Sequence, residues 1–211
     1  FYLITRYEEW LPHQTDEYGR YRPEQSLAYQ NDFVQFPLVN YWVVQLAKEL
    51  NFEITHHYTF KPSYDIDIAY SYLHHNSFRN SLSYFKQLVN LKFNQLVEQL
   101  QVLAGAQKDP YDVYDWLHLL HESLQLKPLY FFLVASKRDS LHKNISPQSA
   151  AMQALIISHA KKYSVGIHPS VVQKNSIPIK GTREQVLGKE IKLLAEIIQQ
   201  PVKHSRQHYI H

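Results

Sequence analysis

The chain has 211 residues, 45% of them hydrophobic and 19% charged, with 22 Lys+Arg against 19 Asp+Glu. Such a composition is globular rather than disordered, and the length suits one large domain or a domain with an appendage. A net charge of +3 without a Lys/Arg run gives no reason to expect nucleic acid, and zero cysteines exclude a disulfide scaffold, a thiolate zinc site and a Cys nucleophile.

Leu3, Ile4, Tyr7, Trp10 and Leu11 fall at helical spacing, and Pro12 ends that pattern. Residues 12–36 are aromatic and turn-like, punctuated by Asp16, Gly19 and Pro23. Pro37 then suits the first turn of a second apolar helix, PLVNYWVVQLAKEL. Residues 1–57 therefore read as a helical lead-in segment. No apolar run approaches the roughly 20 residues of a membrane span. The chain begins at Phe1 rather than Met, which suggests a piece of a longer protein. A missing targeting signal then leaves the compartment open between bacterial cytoplasm and cell envelope.

From Phe60 the pattern changes. FKPSYDID reads as a strand, and residues 78–103 as a long helical region. DPYDVYDWLHLLHESL is a further helix and PLYFFLVA an apolar run of strand length. Residues 147–163 are helical, SVGIH is a short strand, 183–199 is helical, and KHSRQHYI is a last strand. Apolar, non-alternating strands that alternate with helices predict an α/β fold of parallel β/α units, stacked or closed into a barrel.

Ligand sites in such folds lie at the carboxyl ends of strands, which filters the 13 histidines. The first strand ends in Asp65-Ile66-Asp67, whose carboxylates share a face at i and i+2. They can hold one ion, or divide into a ligand and a base; a helix cap plus a surface acid is the plainer alternative. His168 follows the third strand at Gly166-Ile167-His168-Pro169, where a hydrogen-bonded loop histidine is the commoner occupant. On the last strand Arg206 and His208 share a face; Arg206 can hold a carboxylate and His208 can ligate or shuttle protons. Asp65, Asp67, His168 and His208 together suit a borderline divalent ion such as Zn²⁺, hence metal-assisted hydrolysis of an acyl group. His118 and His121 lie three apart on a predicted helix, but the leucines around them favour packing. His56-His57 and His74-His75 are adjacent pairs that diverge on any regular element. There is no GxGxxG, P-loop or GxSxG motif.

SYDIDIAYSY, VGIHPS and SRQHYI, in this order, resemble the polysaccharide deacetylase superfamily, the NodB-type carbohydrate esterase domain. The likeness is greatest to a divergent bacterial branch with an Asp-x-Asp first motif, and FYLITRYEEWLP, PLVNYWVVQL and DPYDVYDWL resemble that branch too. The resemblance implies a distorted β/α barrel, here a partial one over residues 58–211, and divalent-metal-dependent removal of N- or O-acetyl groups from a glycan. It implies Asp65 as catalytic base, Arg206 as the residue orienting it, Asp67 and His168 as metal ligands, and Tyr209 as a substrate-binding residue. The family's second motif is His-x-x-x-His, but residue 172 is Val, and His208 stands where the third motif has Pro. His208 is therefore the candidate for the missing imidazole. The family's later motifs would lie beyond His211, so the chain reads as a truncated barrel that need not be active alone. An inactive glycan-binding or structural pseudo-enzyme on the same barrel is the second reading, and another metal-dependent hydrolase the third.

Overall fold

The computed structural model describes residues 2–17, 19–55, 58–135, 142–171 and 182–208, with backbone alone over 77–79. The chain divides into two compact units, Phe1–Thr59 and Phe60–His208. In the first, α1 (Tyr2–Thr5) is followed by a 3₁₀ turn at Tyr7–Trp10. Arg6, at φ 53°, separates them. The apolar stripe expected along residues 1–11 is thus broken, and Ile4 and Trp10 are exposed. Next come α2 (Leu27–Gln30), capped by the Ser26 hydroxyl, and α3 (Leu38–Glu49), entered from Pro37.

The second unit carries a parallel sheet of β1 (Ser63–Ile66), β2 (Leu129–Phe132) and β3 (Ser164–Ile167), in sequence order. The chain is α/β. Parallel neighbours need crossovers. The first contains α4 (Ser77–Val89), α5 (Phe93–Leu103) and α6 (Tyr114–Ser123), the second α7 (Ala150–Ala160), and α8 (Arg183–Ile198) follows β3. The helical region expected over 78–103 is two helices, because Leu91 turns left-handed at φ 54° and the Asn90 side chain donates to the Lys86 carbonyl.

Register aligns Tyr64, Tyr130 and Val165, then Asp65, Phe131 and Gly166, then Ile66, Phe132 and Ile167. The first and third of these rows face the core, against Met152, Leu155 and Ile156 of α7 and Leu194 of α8. The Asp65–Phe131–Gly166 row lies on the opposite face. A Cβ on Gly166 would stand 2.7 Å from the His204 carbonyl oxygen and 2.8 Å from the Phe131 ring, so glycine permits the close approach of the 204–206 segment. That segment is shorter than the last strand expected over 203–210. Among the described residues it makes one parallel bridge, Ile167 to Ser205, closed by Ile167 N–H to His204 O and Arg206 N–H to Ile167 O. Among those residues, too, no helix is long and apolar enough to cross a membrane.

Two buried polar side chains fix the loops at the carboxyl edge of the sheet. Asn144 accepts from the N–H groups of Ala69 and Ile145 and donates to the carbonyls of Ile66 and Leu133. Asp109 accepts from four backbone N–H groups, those of Ser71, Tyr72, Leu73 and Tyr111, at 2.8–3.0 Å. Burial pushes the Asp109 carboxyl up, but the four N–H groups outweigh it and hold the pKa below its ordinary value. The unfolded chain therefore takes up this proton first on acidification. The stabilisation is complete above the ordinary carboxylate pKa of about 4 and is lost as pH falls through the lower folded value. Asp109→Asn is expected to cost about 1–3 kcal/mol at neutral pH. That difference should shrink in urea unfolding at strongly acidic pH; an unchanged difference would contradict the ion's role.

Candidate metal centre

β1 delivers Asp65, the position just after that strand delivers Asp67, the loop after β3 delivers His168, and the 204–208 segment delivers Arg206 and His208. Three of these converge. His168 Nε2 lies 3.1 Å from Asp67 Oδ1, His208 Nδ1 lies 3.5 Å from the same oxygen, and the two imidazole nitrogens are 2.8 Å apart. The edges of a tetrahedral shell with bonds of about 2.0–2.1 Å are roughly 3.3 Å, close to these separations. Asp67, His168 and His208 also form the one His/Asp/Glu group of metal-binding proximity among the described residues.

Tautomers and burial fit the same purpose. His168 Nδ1 is 2.7 Å from the Arg206 carbonyl oxygen and donates to it, which leaves Nε2 as the unprotonated nitrogen, within hydrogen-bond distance of His208 Nδ1 and 3.1 Å from Asp67 Oδ1. Asp67 Oδ1 is buried without a properly directed hydrogen bond, a costly state for a carboxylate oxygen unless a cation faces it. Burial pushes the Asp67 carboxyl up, but the approach of His168 and the neighbouring His208 and His142 imidazoles keep it below the usual range. Burial pushes His168 down, and the contacts with Asp67 and the Arg206 carbonyl raise it above its ordinary value. One buried oxygen and two imidazole nitrogens form a donor set that a borderline divalent ion accepts.

Asp65 belongs to a second, linked group. Arg206 Nη1 donates to Asp65 Oδ1 at 3.0 Å and Nη2 to Ser63 Oγ at 2.6 Å, while the guanidinium lies 4.3 Å above the Phe131 ring centre. Arg206 thus fixes Asp65 through its side chain and His168 through its carbonyl. Tyr209 and position 172 lie outside the described residues.

Three further side chains hold this edge in place. The Val171 N–H donates to His142 Nε2 at 3.0 Å, so that nitrogen keeps a lone pair and the ring is the Nδ1-protonated tautomer. Glu190 on α8, buried, accepts from the Ser170 N–H and hydroxyl. Asn144 completes the set. Sequence reasoning missed all three. His142 follows the end of β2, where the strand-end filter applies, but ten residues after the strand; Glu190 reads as an ordinary surface acid of an amphipathic helix.

The other histidines go elsewhere. His121 Nε2 meets the Tyr64 hydroxyl at 2.9 Å, and burial, with His118 nearby, pushes its pKa down. His118 contacts the Tyr163 hydroxyl, Lys162 and Glu122, so the two are packing residues rather than a chelate. His75 meets the Tyr70 carbonyl, and the His74 ring packs edge-on to Tyr70. His56 and His57 lie outside the described residues.

Residues 1–55 match the model of a family described as a family of unknown function (DUF7033). That match falls within the first unit and does not reach the metal centre. No curated protein and no solved structure matches the chain.

Proposed function

We propose that the chain carries part of a polysaccharide deacetylase-type β/α barrel, whose function is divalent-metal-dependent hydrolysis of N- or O-acetyl groups on a glycan. The observation that carries this reading is the convergence of Asp67, His168 and His208 on one buried point, with Asp67 Oδ1 lacking a directed hydrogen bond. The Asp65–Arg206 pair beside it supports the same reading. Asp67, His168 and His208 would hold the ion, with Zn²⁺ the best match to their chemistry. A bound ion of this kind acidifies water and polarises an acyl carbonyl.

The protein's own residues supply the rest. Asp65 takes a proton from the attacking water at a carboxylate oxygen. Arg206 aims that carboxylate through its Nη1 donation to Asp65 Oδ1, and Ser63 and the Phe131 ring keep the guanidinium in place. The Arg206 carbonyl holds His168 in the ligating tautomer. His208 takes the part of the imidazole that Val172 cannot supply.

Acetate release from acetylated oligosaccharides, with and without a chelator, tests the proposal. Chelation is expected to abolish release and Zn²⁺ to restore it. Asp65→Asn should lower kcat by about 10²–10⁴-fold while ion content stays unchanged. The second reading, a glycan-binding protein that has lost the metal, is favoured by Val172 in place of the second-motif histidine. Oligosaccharide binding with neither ion nor turnover would select it.

A further inference from the structure

The α4–α5 hairpin is built inside out. Between its helices lies a polar seam: Gln87 Nε2 donates to Gln99 Oε1 at 2.9 Å and to Ser83 Oγ at 3.0 Å, and Ser83 Oγ donates to Gln99 Oε1 at 3.2 Å. Gln87 and Gln99 are buried. Away from the seam, Leu82, Phe85 and Val89 of α4 and Phe93, Val97 and Leu100 of α5 recur at i, i+3/i+4, i+7, the spacing of a helix-packing stripe. Together with Leu88 and Leu91 these eight side chains are 50–72% exposed.

We infer that this face is a self-association surface, on which a second copy of the chain seats its own α4–α5 hairpin to form a four-helix bundle. Three observations favour that occupant. Eight such side chains expose on the order of 100 Å² each, so the face offers roughly 800 Å² per copy, the size of a standard protein–protein interface and above the largest patch of an ordinary monomer. Two neighbouring stripes on a helix pair are what a four-helix bundle buries, and a two-fold axis lets one face complement itself. Residues 77–103 hold only Arg79, Lys86, Lys92 and Glu98 as charges. Three basic residues spread over 27 positions fall short of the roughly four to eight clustered Lys/Arg that mark a segment bound to an anionic membrane surface. The glutamine–serine seam fixes the register of each hairpin, leaving the apolar face as the variable to be satisfied by pairing.

Light-scattering mass measurement and sedimentation of the 211-residue chain, from low to high micromolar concentration, test the inference. The expected species is a dimer. The double variant Phe85→Glu/Val97→Glu, at exposed positions, should weaken it by at least about tenfold with the circular dichroism unchanged. The chain has no cysteine, so Leu88→Cys with a short thiol cross-linker reads the same face without disturbing the fold, and a covalent dimer is expected. A monomer at every concentration, a dimer that survives the double Glu substitution, polydisperse larger species, or no cross-linked dimer would each overturn the inference.

Discussion

Replacing His208 with alanine is expected to weaken Zn²⁺ binding by the chain at least about 100-fold, because loss of outer-shell partners alone costs about 10–100-fold and His208 stands in the inner set. Its Nδ1 lies 3.5 Å from Asp67 Oδ1 and 2.8 Å from His168 Nε2, so it is placed to complete three protein donors. Asp67→Ala and His168→Ala should have effects as large. His142→Ala removes a loop anchor rather than a donor, so its loss should be the smaller, outer-shell kind, with Val171 left without its acceptor. Isothermal titration with Zn²⁺, alongside metal content after dialysis, checks the series. Equal ion binding by the wild-type chain and His208→Ala would remove His208 from the set. No binding by the wild-type chain would end the metal proposal and leave the glycan-binding reading.

Asn144→Ala should destabilise the fold by about 3 kcal/mol or more, which is large against the stability of an ordinary domain. One buried side chain makes four hydrogen bonds, and they join the ends of two parallel strands to the loops that follow them. Alanine leaves two N–H groups and the Leu133 carbonyl at the sheet edge to find other partners in a dry environment, and leaves the Ile66 carbonyl with the long bond from the Leu133 N–H. Asn144→Asp keeps the acceptor for Ala69 and Ile145 but turns a carboxylate oxygen toward the carbonyls of Ile66 and Leu133. It should therefore be no milder than alanine at neutral pH. Urea unfolding of the three proteins decides this, and a loss under about 1 kcal/mol for alanine would mean that water replaces the amide. Because Ile66 precedes Asp67, the same variant should also loosen the metal centre.

Several elements were legible from spacing alone. Apolar runs of strand length at Tyr130–Phe132 and Val165–Ile167, and the 3.6-residue pattern of α8, are local properties, and the physics that reads them is local too. The strand-end filter reached Asp65, Asp67 and His168 for the same reason, since a strand's carboxyl end is visible wherever an apolar run stops. The helix break at Leu91 was not legible: neither Gly nor Pro marks it, and a leucine held left-handed is a cost that the surrounding hairpin imposes. The inward glutamines of that hairpin were hidden as well, because periodicity assigns apolar residues to the core.

The sequence by itself determined which groups this protein has for chemistry: two carboxylates two positions apart, histidines able to ligate, an arginine of opposite charge to the carboxylates but far from them in the chain, and no thiol at all. It also determined the α/β class, through strand and helix periods that each residue's neighbours enforce. Only the tertiary structure decided which of those groups meet. Arg206 reaches Asp65 across 141 positions and His208 reaches His168 across 40, and both contacts depend on the 204–206 segment pressing against β3 where Gly166 has no Cβ to hold it off. No local preference encodes such a meeting. It follows from the burial of the Tyr64–Tyr130–Val165 and Ile66–Phe132–Ile167 rows against α7 and α8, which fixes the strand order and so the carboxyl edge on which the site is built.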